Sequence, residues 1–130
     1  MPKENNGMSK RNVVHIEIPS KNVEESGKFY ANLFGWMITP FPEMNYTMWE
    51  TKELPAGGFS LVGSDTAVGE VLFYVDSDDI TADLKKVEKL GGEVVHPKAE
   101  IAGTGWFGIF KDPTGNKVAL FTSSNPNFNK

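Results

Sequence analysis

From Val13 to Ile18 the chain alternates an apolar set, Val14, Ile16 and Ile18, with a mixed set, Val13, His15 and Glu17. That is the period-two pattern of a strand with two unlike faces. Pro19 and Ser20 end it. Asn22, followed three residues on by Glu25, has the form of a capping box at a helix start. Val23, Tyr30, Leu33 and Phe34, with Phe29 as a second column, then recur at helical spacing until Gly35, which predicts one helix. Extended segments are predicted at Trp36 to Thr39, Tyr46 to Thr51 and Phe59 to Val62, separated by Pro40-Phe41-Pro42 and by Leu54-Pro55-Ala56-Gly57-Gly58.

The same order then recurs. Val71 to Val75 reads as a strand, and Asp78 or Asp79 caps a helix with the stripe Ile80, Leu84, Val87 and Leu90, stopped at Gly91-Gly92. Short strands follow at Glu93 to Val95, Trp106 to Phe110 and Lys117 to Phe121. The last two are joined by Asp112-Pro113-Thr114-Gly115-Asn116, which suits a type I turn with a bulge. Val14 and Val71, Val23 and Ile80, Leu33 and Leu90, and Gly35 and Gly92 all stand 57 residues apart, so strand, helix face and helix stop repeat without a gap. The expected fold is α+β: two tandem βαβββ modules, about 13–63 and 70–122, forming a curved, incompletely closed mixed sheet around a cleft with the helices outside. Residues 1–12 read as a disordered N-terminal arm and 123–130 as a flexible tail around a single domain over 13–122. On the cleft side this pattern places His15 and Glu17 in the first module and Leu72 and Tyr74 in the second.

Composition narrows the partners. The 130 residues carry a net charge of -4, which argues against nucleic acid and anionic membrane surfaces, since both need a basic face. There is no cysteine, so disulfides, thiolate zinc sites and cysteine nucleophiles are excluded. No run approaches the length of a membrane span and no apolar leader core precedes Val13, so a cytoplasmic location is expected. Gly103-Thr104-Gly105-Trp106-Phe107-Gly108 matches G-x-G-x-x-G, but it leads into a strand, whereas a dinucleotide loop must open a helix. The strands are rich in aromatic residues, among them Trp49, Tyr74, Trp106, Phe110 and Phe121, most of which ordinary core packing accounts for.

The duplicated βαβββ order, the strand-one His15, the run Phe29-Tyr30-Ala31-Asn32-Leu33-Phe34-Gly35-Trp36 and the turn Asp112-Pro113-Thr114-Gly115-Asn116 together resemble the vicinal oxygen chelate superfamily. That group includes glyoxalase I, extradiol dioxygenases and bleomycin-resistance proteins, and the likeness is greatest to its small stand-alone glyoxalase-like members. It covers about residues 13–122. The resemblance implies four metal ligands, two from each module. His15 is the only residue here that matches one. Its counterpart at the repeat offset is Leu72, the last-strand position falls on Ala119, and the remaining one falls on Gly58 or Ser60.

A lone imidazole gives too little affinity for a divalent ion, so no cofactor or metal is expected, with Glu17 as the one residue able to supplement His15. The function expected is that of a small-molecule-binding protein of glyoxalase and bleomycin-resistance type. Its partner would be a small organic, apolar or aromatic ligand held by His15, Glu17, Ser60, Leu72, Tyr74, Trp106, Ala119 and Phe121. Two alternatives stay open. One is a metal-dependent enzyme of glyoxalase (lactoylglutathione lyase) or dioxygenase type using His15 with further ligands. The other is a non-catalytic scaffold. No catalytic residue is assigned, and a homodimer is expected because family members commonly pair.

Overall fold

A computed structural model describes residues 9–63 and 66–130. The fold is mixed α+β and divides into two compact units, one over Val13–Phe73 and one joining residues 9–12 to Tyr74–Lys130. The first half contains β1 (Val13–Ser20), α1 (Val23–Phe34), β2 (Met37–Phe41), β3 (Tyr46–Glu50) and β4 (Ala56–Leu61), with a 3-10 turn at Pro42–Met44. Its strands lie in the order β2-β3-β4-β1, β1 parallel to β4 and the other pairs antiparallel. The second half contains β5 (Leu72–Asp76), α2 (Ile80–Lys89), β6 (Glu93–Ile101), β7 (Gly105–Lys111) and β8 (Lys117–Ser123), in the order β5-β8-β7-β6. The βαβββ unit is therefore present twice.

The repeat extends to individual hydrogen bonds. Asn22 caps α1 by accepting from the Glu25 N–H at 3.0 Å, and Asp79 caps α2 by accepting from the Ala82 N–H at 3.0 Å. Just before each cap stands a buried serine. Ser20 Oγ accepts from the Asn22 N–H at 3.0 Å and meets Ser26 Oγ at 2.7 Å. Ser77 Oγ accepts from the Asp79 N–H at 3.1 Å and donates to Asp83 at 2.6 Å. In each half the hydroxyl ties the strand end to the first turns of the helix, so a donor that the helix would otherwise leave unpaired is satisfied before the helix begins.

In the first half α1 covers one face of the sheet. Gly27 is the buried contact: a Cβ there would stand 3.0 Å from Ile38 Cγ2 and 3.4 Å from Thr47 Cγ2, so glycine sets how closely helix and sheet approach. Beside it runs a column of stacked rings. Phe59 and Tyr30 have centroids 5.4 Å apart, Tyr30 and Trp36 5.3 Å, and Trp36 and Trp49 4.0 Å. The helical stripe expected from the sequence is only partly inward. Phe29, Leu33 and Phe34 are each 58% exposed, because the small residues Ser26 and Gly27 take the inward face beside Val23, Tyr30 and Ala31. In the second half Ile80, Leu84 and Leu120 form the core, packed by Val75, Val94, Trp106 and Phe110. Leu90, expected on the α2 stripe, is exposed at the helix end.

Most strands differ from their expected bounds by one or two residues, β2 among them in running on through Pro40 to Phe41, and two strands differ by more. β4 begins at Ala56, since Gly57 and Gly58 extend alongside β1 rather than forming a loop. β6 runs on through His96 and Pro97 to Ile101, with register shifts between Val94 and Ala99. It is the last strand of its half, where proline costs no ladder bond on the open side, and bulges absorb the mismatch. The turn before β8 is as expected: Asp112 accepts from the N–H groups of Thr114 and Asn116, and Gly115 sits at φ 102°. The Gly103–Gly108 run leads into β7 rather than into a helix.

Residues 9–12 lie with the second half. Arg11 forms a two-pronged ion pair with Asp83 at 2.6 and 3.0 Å, the Ser9 N–H donates to Asp78 at 2.7 Å, and the Asp76 N–H donates to the Asn12 carbonyl at 3.0 Å. Burial pushes the Asp83 carboxyl up, but the hydrogen bonds from Arg11 and Ser77 outweigh it and hold the group below the usual carboxylate range. The part of the expected arm over residues 1–8 lies outside the described residues.

Gly57 is the most demanding position of the first sheet, because a Cβ there would collide with the Trp49 ring and with the Ile16 carbonyl. Gly57→Ala should lower unfolding stability by about 1–3 kcal/mol, the usual scale of overpacking. A urea midpoint unchanged from the parent chain would contradict this close approach.

Candidate functional site

Strand parity decides which side chains face away from the helices. On β1 the face turned from α1 carries His15, Glu17 and Pro19, whose partners on β4 are Ala56, Gly58 and Ser60. On β3 the same face carries Tyr46 and Met48, opposite Ser60 and Gly58. Of the expected site residues, the first half therefore brings His15, Glu17 and Ser60 to one face. It adds Tyr46, which sequence reasoning missed.

The Tyr46 hydroxyl lies 2.8 Å from His15 Nε2, and its ring fills the volume a Cβ at Gly58 would need. Glycine at 58 is what lets a tyrosine lie across the strand and reach the imidazole. The signal was in the sequence as the Gly57-Gly58 pair, but pairing it with Tyr46 needs the register of β3 against β4. Burial pushes the His15 pKa below its ordinary value, and the nearby Glu17 carboxylate pulls it partly back up. The imidazole is thus neutral near pH 7, with one ring nitrogen to donate and one to accept.

In the second half the parity is set by Gly108, where a Cβ would lie 3.0 Å from Ile80 and 3.2 Å from Leu84, so Gly108 faces α2. Trp106, two residues away on β7, shares that side, packs against the Ile80 and Leu84 core and lies beneath the Lys98 ammonium at 5.4 Å. It was expected on the same face as Ala119 and Phe121 and is on the opposite one. Phe107 and Ile109 occupy the face expected of it, opposite Phe121 and Ala119 on β8. Tyr74 on β5 pairs with Ala119, and Leu72 shares its parity. His96, on β6, brings its ring within 4.8 Å of Phe107. The face away from α2 therefore carries Tyr74, Ala119, Phe121, Ile109, Phe107 and His96, with Phe107, Phe121 and His96 only partly buried.

The metal ligands implied by the resemblance do not fit this donor set. His15 Nε2 is engaged by Tyr46, the position on β4 is Gly58 with Tyr46 over it, and Leu72 and Ala119 offer no donor atom. Among the described residues no three of His, Cys, Asp and Glu come together as a metal-binding group. A divalent ion needs at least three such donors to be held tightly. Among those residues, too, no helix is long and apolar enough to cross a membrane.

Comparison with known proteins agrees with this architecture. A family model described as the Glyoxalase/Bleomycin resistance protein/Dioxygenase superfamily matches residues 12–120. A glyoxylase-like domain-containing protein of Didymella fabae is 31% identical over 82% of this chain and 90% of its own length. The anthracycline biosynthesis protein DnrV of Streptomyces peucetius is 25% identical over 82% of this chain, which spans 45% of that longer protein. Among solved structures, methylmalonyl-CoA epimerase from Mycobacterium tuberculosis shares the fold with a TM-score of 0.68 at 8% identity, covering 95% of this chain and 94% of that one.

The depressed His15 pKa has a consequence for stability. In the unfolded chain the imidazole takes up its proton near pH 6.5, earlier than it does when buried, so the unfolded state binds more protons just below that pH. Stability should fall as pH drops from about 7 through 6.5 and below. His15→Gln should flatten that part of a pH series of urea midpoints. An unchanged slope in the variant would show that other groups cause it.

Proposed function

The chain belongs to the Glyoxalase/Bleomycin resistance protein/Dioxygenase superfamily, and on that footing we propose that it binds a small apolar or planar aromatic molecule without a resident divalent metal. The observation that carries this reading is the face of the second half turned from α2. Where the resemblance implies metal donors, that face has Leu72 and Ala119, and around Ala119 stand Tyr74, Phe121, Ile109 and Phe107. The Phe107 and Phe121 rings, partly exposed beside the small Ala119, favour stacking with a flat ligand, each such contact contributing about 0.5–1.5 kcal/mol beyond burial. A relative named for anthracycline biosynthesis, a class of compounds built on fused planar rings, supports that choice of ligand class.

In the first half His15 is engaged by the Tyr46 hydroxyl at 2.8 Å, which suits a hydrogen-bonding role rather than that of a metal donor. The homodimer implied by the resemblance is part of the proposal, supported by the exposed Phe29, Leu33 and Phe34 on α1. Light scattering that gave a monomer at micromolar concentration would count against it.

Titration of the purified chain with anthraquinone-2-sulfonate, followed by calorimetry, should give saturable binding that survives prior treatment with EDTA. Phe121→Ala should weaken it about tenfold, the equivalent of one stacked ring. Zinc, nickel or iron present in stoichiometric amount in the purified protein and lost in His15→Ala would overturn the metal-free reading and favour a metal-dependent enzyme instead.

A further inference from the structure

The segment after β8 is folded back by its own polar side chains. The Ser124 N–H donates to the Thr104 carbonyl at 2.9 Å, and the Asn125 N–H to Ser123 Oγ at 3.0 Å. The Asn127 and Phe128 N–H groups return to Asn125, to its side-chain oxygen at 2.9 Å and its carbonyl at 3.0 Å. This is an Asx-type turn, in which the asparagine side chain stands in for a backbone acceptor. Asn129 follows at φ 58°, a left-handed conformation that asparagine tolerates better than most residues.

The turn delivers two side chains to defined places. The Phe128 ring stands against Phe121 with centroids 5.7 Å apart and planes at 74°. Asn129 Nδ2 donates to the buried Asp76 carboxylate at 3.1 Å and to Asn12 Oδ1 at 2.8 Å. Asp76 and Phe121 are register partners on β5 and β8, and both point to the face turned from α2. The segment thus covers one end of the face proposed to hold the ligand, and its latch is anchored on that same face. With Phe128 added, partly buried rings run in sequence from His96 through Phe107 and Phe121 to the tail.

We propose that Ser124–Asn129 is a latched strap that belongs to the binding site, with Phe128 as a wall that contacts the bound molecule and Asn129 as the residue that positions it. The proposal rests on the aromatic-ligand reading of that face. Two rings set at a steep angle form a corner, and a flat ligand lying against one presents its edge to the other, so the corner selects for planarity and width. Asn129 acts through Phe128: held to Asp76 and Asn12, it fixes the ring against Phe121.

The test uses the full chain and anthraquinone-2-sulfonate. Phe128→Ala should raise Kd about tenfold with little change in melting temperature, Phe128→Leu should fall between, and Asn129→Ala should give a smaller rise. In the parent complex, nuclear Overhauser contacts are expected between the Phe128 ring protons and the probe. These contacts need no variant, so they stand as a test even if a substitution disturbs folding. Unchanged or tighter binding by Phe128→Ala, or absence of those contacts while the probe is bound, would overturn the strap as part of the site and leave the binding face intact. Loss of binding in Phe121→Ala alongside parent-like binding in Phe128→Ala would have the same meaning. No binding to the parent chain at all would remove the aromatic-ligand reading and the strap proposal with it.

Discussion

A four-stranded sheet served by a single helix can hide only one of its faces, and this constraint governs each half of the molecule. Burial of the helix-side face uses the larger apolar side chains, Val14, Phe59 and Trp49 under α1 and Ile80, Leu84 and Leu120 with α2. Everything of the opposite parity is left to face something else. In the first half that set is polar, and in the second it is aromatic and apolar. Strand parity therefore decides which side chains stand on the candidate face, even though Leu72, Tyr74, Ile109 and Ala119 on it are themselves buried.

The small residues carry more of this arrangement than their size suggests. Gly27 lets α1 approach its sheet and Gly108 lets α2 approach its own, while Gly57 and Gly58 make room for Trp49 on one face and Tyr46 on the other. Adjacent glycines on β4 thus serve opposite sides of the same strand. Trp49 is 3% exposed, and its indole N–H meets no acceptor among the described residues. Its ring stacks closely on Trp36, so the indole is held by aromatic packing.

Much of the fold was legible because the repeat supplied an internal control. Val23 with Ile80, and Leu33 with Leu90, were visible as equivalent positions, and the structure adds Asn22 with Asp79, Ser20 with Ser77 and Ser26 with Asp83 to the same register. What periodicity misread were positions where size, not polarity, decides. A stripe of Phe29, Leu33 and Phe34 looks like a buried helix face until Ser26 and Gly27 are seen to be the residues small enough to touch the sheet. Trp106 and Phe107 are adjacent aromatics, so composition cannot tell which faces α2. The neighbouring Gly108 could have told, since a glycine amid large residues marks where a helix comes close. His15 could be picked out as a polar residue on its strand, but its partner Tyr46 lies 31 residues away and is invisible without the strand register.

The ion pair between Arg11 and Asp83 joins residues 72 apart in sequence, and the contacts of Ser9 and Asn12 with Asp76 and Asp78 span nearly the same interval. The segment before β1 is thus completed by the half of the chain that is synthesised last. During translation these residues must wait while the whole first βαβββ unit emerges, and closing so long a loop adds an entropic delay that local contacts do not face. The first half also needs a distant pairing, since β1 lies against β4, 41 residues on at His15 and Ala56, but all of its strands come from one continuous stretch. The unit that these contacts complete is therefore discontinuous in sequence, interrupted by the whole of the other repeat.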